Sequence, residues 1–279
     1  MDVNRQVKVR VNRAGTIRVN ANSAQGYSNI SVAGRRVSFK VNRYGAAEQQ
    51  IPGVSVITCT NRSDSLDRIM ANYLRQVYPQ KELIIIVNSN SVDIGEWLHR
   101  AGGHPDIRIF HVDAEMHLGY CLNYAVDLAG YEYIAKFDDD DYYAPNYLSD
   151  ALHVFPSVYA GIVGKCAMFV YFEASKTLAI ALPNHENVYE HGVAGATMII
   201  RREVFKKVRF PDVTEGEDSM FLSKCREQGI GIYATDRFNF VAIRRSNVDS
   251  HTWKVDENEY LKYCEFVVRT ADFVPYITR

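Results

Sequence analysis

The sequence lacks long apolar runs. Segments such as residues 83–87 (LIIIV) are far shorter than the roughly 20 apolar residues that a membrane-spanning helix needs. The first residues, MDVNR, also lack the apolar stretch of a signal peptide. These two absences predict a cytoplasmic protein without a transmembrane segment.

An excess of charge of one sign is missing too, because 32 Lys and Arg residues are balanced by 33 Asp and Glu residues. A net charge near zero gives no electrostatic support for a nucleic-acid partner. Cysteine is limited to five scattered positions without a Cys-x-x-Cys pair, which argues against a zinc or dithiol redox motif. We expect most of these thiols to be small buried side chains in a reducing compartment.

Hydrophobic residues make up 47% of the 279 positions and charged residues 23%, as in a globular protein with one large core or a core and a small appendage. Residues 7–44 alternate apolar and polar side chains, with Gly15 and Gly34 at breaks in the pattern. A period of two predicts strands joined by turns. We interpret residues 1–50 as a small β-rich, hairpin-like appendage and a candidate surface for homo-oligomer contacts.

After residue 50, apolar strands alternate with amphipathic helices. The strands are continuous apolar runs, as in a sheet that is covered on both faces. This alternation predicts an α/β domain with a mostly parallel sheet flanked by helices. In chain order the predicted strands and helices are 54–57, 66–77, 81–87, 107–112, about 119–129 and 133–137.

Three polar segments follow these strands, at residues 58–63, 88–93 and 138–141. Ligands of open α/β sheets bind in the crevice beyond the carboxyl ends of the strands. The sequence therefore predicts one site built from these three segments.

The third segment is a run of four aspartates, residues 138–141. Neighbouring carboxylates repel one another, and a hard divalent cation such as Mg²⁺ or Mn²⁺ neutralises them while also holding substrate phosphates. Alternation along a strand predicts that Asp138 and Asp140 face one site while Asp139 and Asp141 point elsewhere. A solvated acidic turn or a helix cap is the structural alternative. A calcium-binding EF-hand loop is disfavoured, because no glycine stands at its sixth position.

Four motifs resemble family 2 glycosyltransferases of the GT-A fold, and the resemblance covers roughly residues 53–251. The order and spacing of the four motifs make the resemblance specific. A fainter similarity at the second motif is to the spore-maturation subgroup of that family. The motifs are residues 54–62 (VSVITCTNR), 136–148 (KFDDDDYYAPNYL), 195–205 (GATMIIRREVF) and 216–222 (GEDSMFL).

The resemblance implies a metal-dependent enzyme that inverts configuration as it moves a sugar from a nucleoside-diphosphate sugar, such as a UDP-sugar, to a hydroxyl of a glycan, polysaccharide or protein glycan. Residues 51–279 would form the GT-A domain, including a C-terminal helical segment. Asp140 would bind Mn²⁺ or Mg²⁺, with Asp138 or Asp141 as alternative ligands. The residues implied to bind the nucleotide sugar are Thr58, Cys59, Thr60, Arg62, Asn88, Asp138 and Asp139.

On the acceptor side, the resemblance implies that Asp218 is the general base and that Glu217 lies beside it. His251 would complete the metal site and Trp253 would contact the acceptor. Each of these roles has a structural alternative. Glu217 and Asp218 suit a helix N-terminus, His251 suits the surface, and Trp253 suits packing against neighbours. His185 and His191 flank the acceptor-side strand and have weaker claims to a role.

Two motifs depart from the family pattern. Residues 87–93 read VNSNSVD where relatives carry an Asp-Asp-Gly-Ser-like turn, so the amide of Asn88 replaces a carboxylate as the expected base contact. Residues 121–123 read CLN where relatives often carry Ala-Arg-Asn, so an arginine is missing. Uridine specificity therefore does not follow from the resemblance.

Three other classes of protein remain open. A phosphatase with Asp138 as nucleophile ranks low, because its Asp-x-Asp loop normally follows the first strand of the sheet. A nucleotidyltransferase would carry a glycine-rich phosphate loop, which residues 58–63 do not provide. An inactive sugar-nucleotide-binding or structural protein is disfavoured by the presence of Asp138, Asp140 and Asp218.

Overall fold

The structure is a computed structural model that describes residues 51–247 and 255–279, together with the backbone of four strands before residue 50. The chain divides into two compact units, Met1–Gln50 and Ile51–Arg279. In the first unit β1 pairs with β2 and β3 pairs with β4, both antiparallel. The four strands are β1 (Lys8–Val11), β2 (Ile17–Asn20), β3 (Gly26–Val32) and β4 (Arg35–Val41).

The second unit begins with alternating strands and helices, as the sequence predicts. These are β5 (Val54–Thr60), α1 (Leu66–Leu74), β6 (Lys81–Asn88), α2 (Ile94–Ala101), β7 (Ile107–Val112), α3 (Leu118–Leu128) and β8 (Tyr133–Lys136). The elements that follow are β9 (Tyr142–Tyr143), α4 (Tyr147–Val154), β10 (Ile162–Gly164), β11 (Met168–Phe172), β12 (Thr177–Ala181), β13 (Val188–Tyr189), β14 (Ile199–Arg201), α5 (Glu217–Glu227), β15 (Ile232–Ala234), β16 (Phe240–Arg244), α6 (Glu257–Leu261), β17 (Cys264–Arg269) and α7 (Val274–Ile277).

The main sheet has eight strands in the order β13-β15-β10-β14-β8-β5-β6-β7. Strands β5 to β8 pair in parallel, and so do β10 and β15. The remaining pairings, made by β14 and β13, are antiparallel. The prediction of a mostly parallel α/β sheet is therefore confirmed, and the carboxyl ends of β5, β6 and β8 meet at one edge.

The apolar side chains of strand β6 pack on both faces of the main sheet. Leu83, Ile85 and Val87 pack in the core that α1, α2 and α4 cover. Ile84 and Ile86 pack in the core that α3 and α5 cover. An unbroken apolar run suits this position, because successive side chains of a strand point to opposite faces.

A second sheet of five strands was not foreseen from the sequence. Its order is β17-β12-β11-β16-β9, and β9 begins directly after the aspartate run. The expectation of a helical C-terminal segment is wrong for β17, which pairs antiparallel with β12. The β-branched residues Val267 and Val268 favour a strand there, and α6 and α7 are single short turns on either side. Within the part of the chain that the structure describes, no helix has the length and apolarity to cross a membrane.

Candidate active site

A cavity of about 550 Å³ opens at the carboxyl ends of β5, β6 and β8 and at the start of α5. Leu118 and Leu122 of α3 form part of its apolar wall. The structure thus brings nine of the predicted residues to one place. They are Cys59, Thr60, Arg62, Asn88, Asp138, Asp139, Asp140, Glu217 and Asp218.

Two predicted residues do not reach the cavity. Strand β5 continues to Thr60, so Thr58 lies within the strand and is buried beneath the site. Asp141 is also buried and does not line the cavity. His251 and Trp253 lie outside the described residues.

The predicted alternation of the aspartates is wrong, because β8 ends at Lys136 and residues 138–141, named the acidic turn below, lie in a bent connection after the strand. Asp138, Asp139 and Asp140 all line the cavity. The Arg62 guanidinium pairs with Asp139 and lies 3.1 Å from Asp140 Oδ2. Thr60 Oγ1 donates a hydrogen bond of 2.5 Å to Asp139 Oδ2. The first polar segment therefore holds the third by charge and hydrogen bonds.

Charges within the cavity shift the pKa values of Arg62 and Asp139. Burial by itself would lower the pKa of Arg62, but Asp139 and Asp140 outweigh burial and raise it. Burial and the neighbouring Asp140 raise the pKa of Asp139, while Thr60 and Arg62 oppose the increase. Arg62 thus supplies part of the neutralisation that the acidic run requires.

Asp141 has a structural role and is buried away from the cavity lining, which counts against the prediction that it is an alternative metal ligand. Its Oδ1 accepts a hydrogen bond of 3.0 Å from the backbone N–H of Ile243 in β16. Asn72 of α1 donates a hydrogen bond of 2.8 Å to its carbonyl oxygen. Burial and the neighbouring Asp140 raise the pKa of Asp141 well above its ordinary value. Asp141 therefore connects the turn to the second sheet.

Lys136 is a cavity residue that the sequence reasoning missed. It is 4% exposed, and its Nζ lies 2.7 Å from Asp138 Oδ1 and 3.6 Å from Asp218 Oδ2. Burial would lower its pKa, but Asp138, Asp218 and Glu217 raise it above the ordinary value. A lysine at the end of an otherwise apolar strand, two residues before the aspartates, is the signal that could have revealed it.

Asp218 and Glu217 occupy the first turn of α5, where the helix dipole favours negative charge. Gly216 precedes them with φ of 77°, a left-handed conformation that glycine adopts without strain. One carboxylate oxygen of Asp218, Oδ1, is buried without a hydrogen-bond partner among the described residues. Burial and Asp218 raise the pKa of Glu217 to about 7.

Gly195 allows the Asp218 carboxylate to take its position. A β-carbon built at residue 195 would overlap Asp218 Oδ2. The two residues belong to the third and fourth motifs of the sequence, which are far apart in the chain but adjacent here. Only a residue without a side chain fits against the carboxylate in this arrangement.

Aromatic packing supports the floor of the cavity. Phe137 stacks on Tyr143 with ring centroids 3.7 Å apart and planes 4° apart. The Tyr143 hydroxyl accepts a hydrogen bond of 2.8 Å from the backbone N–H of Asp138 and donates one of 2.7 Å to Ala196 O. One buried tyrosine thus joins the acidic turn to the segment that contains Gly195.

The second polar segment contributes Asn88, whose amide donates a hydrogen bond of 2.6 Å to Asp113 O. Its side-chain oxygen is an acceptor with two lone pairs, so a cavity ligand can still donate to it. The predicted polar segments therefore meet at one edge of the main sheet.

The carboxylates fit a divalent ion only in combination with substrate. Among the described residues, no three carboxylate or imidazole ligands converge in this cavity. Asp140 lines the cavity and receives one hydrogen bond from the described part of the chain, from Arg62. Because Mg²⁺ usually takes one or two carboxylates together with substrate phosphates, Asp140 and the partly exposed Asp138 would be enough protein ligands for such an ion.

A mostly parallel sheet of this order, with carboxylates from two motifs lining one cavity at its carboxyl edge, has the form of a GT-A glycosyltransferase. Residues 55–209 match the family described as Glycosyl transferase family 2, which is more than half of the chain. The chain belongs to family 2 of the glycosyltransferases and is an enzyme of that class.

Curated relatives match a smaller part of the sequence. Poly-beta-1,6-N-acetyl-D-glucosamine synthase of Staphylococcus epidermidis is 29% identical over 106 residues, which is 36% of this chain and 25% of that protein. The synthase of Staphylococcus aureus strain MW2 is 26% identical over 119 residues, or 41% of this chain and 29% of that protein. The match thus spans less than a third of the length of these relatives.

Solved structures share the fold at low sequence identity. S. aureus TarS 1-349 in complex with UDP-GlcNAc has a TM-score of 0.56 at 16% identity, covering 76% of this chain and 64% of that one. The mannosyltransferase PcManGT from Pyrobaculum calidifontis, in complex with GDP-Man and Mn²⁺, has a TM-score of 0.53 at 18% identity. That match covers 77% of this chain and 60% of the other. These likenesses confirm the GT-A fold, and the resemblance to the spore-maturation subgroup stays a prediction.

Proposed function

We propose that this glycosyltransferase transfers a sugar from a nucleoside-diphosphate sugar to a hydroxyl of a glycan or polysaccharide, with inversion at the anomeric carbon. The observation that carries the proposal is that Asp140 and Asp218 line the same cavity, of about 550 Å³. A cavity of this size is within the range of small-molecule sites. It leaves room for a donor between the acidic turn and the start of α5.

Asp218 is the general base in this proposal. Its side chain lines the cavity and is about a quarter exposed, so the carboxylate can be reached by an acceptor hydroxyl and accept its proton. Lys136 lies 3.6 Å from Oδ2 as the neighbouring cation, and Gly195 leaves space for the carboxylate. The hydroxyl oxygen then attacks the anomeric carbon from the face opposite the diphosphate, the bond from that carbon to the diphosphate oxygen breaks, and the nucleoside diphosphate leaves with inversion of configuration.

Asp140 holds a divalent ion together with the donor diphosphate, with Asp138 as the alternative protein ligand and His251 as a further one. When bound, this ion supplies Lewis-acid stabilisation of the charge that develops on the diphosphate. Arg62, which contacts Asp139 and Asp140, orients the acidic turn. The complex of PcManGT with GDP-Man and Mn²⁺ is consistent with such an ion here.

The donor-binding side of the cavity comprises Cys59, Thr60, Arg62 and Asn88, which line it beside the acidic turn. The UDP-GlcNAc of the TarS complex and the GDP-Man of the PcManGT complex define the donors to test first. The synthases among the relatives favour a growing polysaccharide as acceptor. Glu217 lies beside the base, on the acceptor side.

The test is a donor panel. Purified protein is incubated with UDP- and GDP-sugars, with and without Mn²⁺ or Mg²⁺, and the release of nucleoside diphosphate is measured. Asp218→Asn should lower kcat by about 10² to 10⁴-fold and leave donor binding nearly unchanged, because a general base acts only in the chemical step. Glu227→Gln is the matched control, since Glu227 is an exposed carboxylate at the other end of α5.

Other outcomes separate this proposal from its rivals. Release of pyrophosphate or of a nucleoside monophosphate would indicate a nucleotidyltransferase or a hydrolase. A thermal shift with nucleotide sugar but no turnover of any donor would indicate an inactive binding protein. Equal activity of the wild type and Asp218→Asn would exclude Asp218 as the base.

A further inference from the structure

A second cluster of ligand-type side chains lies outside the active-site cavity. The sulfur of Cys166, an imidazole nitrogen of His185 and a carboxylate oxygen of Glu190 all lie within 4.8 Å of one another. None of the three residues lines the cavity that holds Asp140 and Asp218. The cluster joins one soft ligand, one imidazole and one carboxylate from separate positions of the chain.

The backbone holds the ligands of this cluster in place. Cys166 lies in the short connection between β10 and β11, and the N–H of Ala167 donates a hydrogen bond of 3.3 Å to His185 O. The N–H of Glu190 donates a hydrogen bond of 3.1 Å to Ile232 O in the main sheet. The cluster is therefore anchored by the main sheet and by the start of the second one.

The loop that carries His185 has an unusual backbone. Leu182, Asn184 and Asn187 have φ values of 47°, 72° and 55°. This left-handed region is unfavourable for residues other than glycine, although asparagine tolerates it best. Three such residues within six positions turn the loop back on itself and bring His185 to 2.7 Å (Nδ1 to Oε1) from Glu190.

We propose that Cys166, His185 and Glu190 form a binding site for a zinc-class divalent ion. Zn²⁺ is bound by cysteine thiolate, imidazole and carboxylate, and three protein ligands with one water complete a tetrahedral site. The side chain of His185 is about half exposed, so water reaches the open position. Mg²⁺ and Mn²⁺ prefer oxygen ligands, so this site and the cavity of Asp140 select different ions.

A nucleophilic cysteine is the competing interpretation, because a thiol, a histidine and a carboxylate also make up a catalytic triad. The surroundings of Cys166 oppose it. Burial, with a contribution from Glu190, raises the pKa of the Cys166 thiol, whereas a nucleophilic cysteine needs a lowered one. A metal ion displaces the thiol proton directly on binding, so a raised pKa in the metal-free protein does not prevent ligation.

Backbone contacts connect the proposed metal site with Asp218. Lys165 O, immediately before Cys166, accepts a hydrogen bond of 2.8 Å from the N–H of Ala194. Ala194 precedes Gly195, which packs against the Asp218 carboxylate. Bound metal would therefore fix residues 185–195 and, through Gly195, the place of Asp218. This last step rests on the proposed function, whereas metal binding does not.

The test uses the full chain after treatment with a chelator. Zn²⁺ is titrated against a chromophoric chelator, and Co²⁺ is titrated while the near-ultraviolet absorption is recorded. We expect one equivalent of Zn²⁺ to bind and Co²⁺ to give a thiolate charge-transfer band. Cys166→Ser should abolish the band and weaken Zn²⁺ binding by about 100-fold or more, since even the loss of a residue behind a ligand costs 10 to 100-fold. Cys264→Ser, a half-buried cysteine on β17, is the matched control and should keep both.

Additional variants keep the result interpretable. His185→Ala alters an exposed loop side chain and should weaken Zn²⁺ binding like Cys166→Ser, with an unchanged circular dichroism spectrum. Absence of a thiolate band in the wild type, or persistence of the band in Cys166→Ser, would overturn the proposal. Rapid alkylation of Cys166 by iodoacetamide that Zn²⁺ does not slow would overturn it as well. Metal binding without sugar transfer would leave this site standing and count against the proposed function alone.

Discussion

The ammonium group of Lys136 lies 3.6 Å from a carboxylate oxygen of Asp218, although the two residues belong to a strand and a helix that are 82 positions apart. The same ammonium lies 2.7 Å from Asp138. A single buried cation therefore connects the acidic turn to the proposed base. Its positive charge lies between carboxylates on both sides of the cavity, which would otherwise repel one another.

Replacing Lys136 tests this connection. Lys136→Met leaves Asp138, Asp218 and Glu217 without their cation, so we expect the free energy of unfolding to fall by about 2 kcal/mol. This is below the cost of breaking a fully buried pair, because Asp138 and Asp218 are partly exposed. Urea denaturation measures the loss, and kcat should fall in addition.

The control for Lys136→Met is Lys165→Met. Lys165 is also 4% exposed, and its Nζ donates a hydrogen bond of 2.6 Å to Asp236 O outside the cavity. We expect a comparable loss of stability with kcat retained. If both variants lose the same fraction of activity, the loss in Lys136→Met reflects lower stability, and the connection through Lys136 has no catalytic importance.

Gly195→Ala tests the close packing of Gly195 against Asp218. The added methyl group overlaps the carboxylate, so Asp218 must move, and a displacement of about 1 Å can cost about 100-fold in rate. We expect kcat to fall 10 to 100-fold without a change in the far-ultraviolet circular dichroism spectrum. In Gly192→Ala the new methyl lies 3.7 Å from Leu222, an ordinary contact, and activity should persist. Full activity of Gly195→Ala would show that the position of Asp218 is not critical.

The fold was predictable from the sequence where one physical rule determined the outcome. The continuous apolar run of β6 requires cover on both faces, and residues 83–87 indeed pack in two cores. Polar segments after parallel strands meet at one edge by geometry alone, which is why Asn88 and Asp138 were found together. These inferences needed only local patterns.

The predictions from sequence failed for residues whose positions depend on contacts with distant parts of the chain. Thr58 is polar but lies inside β5, because pairing with β6 continues to Thr60, beyond Ile57, where pairing with β8 ends. The position of the Asp141 side chain depends on a hydrogen bond from Ile243, 102 residues later, and no local pattern reveals this contact. Lys136 was missed for the same reason, since its partner Asp218 comes from a distant helix.

A pair of neighbouring variants tests which aspartate of the acidic turn binds the proposed metal ion. Asp140→Asn removes a carboxylate that lines the cavity, so we expect metal-dependent turnover to fall by about 100-fold or more. Asp141→Asn keeps an oxygen to accept from the N–H of Ile243, so activity should stay within a few-fold of wild type. Turnover is measured over a series of Mn²⁺ concentrations. A larger loss in Asp141→Asn than in Asp140→Asn would place the metal one residue later.

The carboxyl group of Glu217 gives the protein a pH-dependent stability. Burial and Asp218 raise its pKa from 4.5 to about 7, so between these values the folded protein binds more protons than the unfolded chain. By linkage, the stabilising contribution is complete below pH 4.5 and is lost as pH rises through 7. The glutamine of Glu217→Gln cannot ionise, so this variant does not lose that stability as the pH rises. Its stability relative to wild type should therefore increase between pH 5 and pH 8, by on the order of 2 kcal/mol.

Urea denaturation of the wild type and Glu217→Gln at pH 5, 6, 7 and 8 measures this difference. Glu227→Gln, at the exposed end of the same helix, should show a constant difference from wild type over that range. A constant difference for Glu217→Gln as well would mean that Glu217 is already ionised at pH 5. In that case the positive charge of Lys136 would be enough to keep Glu217 ionised beside Asp218 from pH 5 upwards.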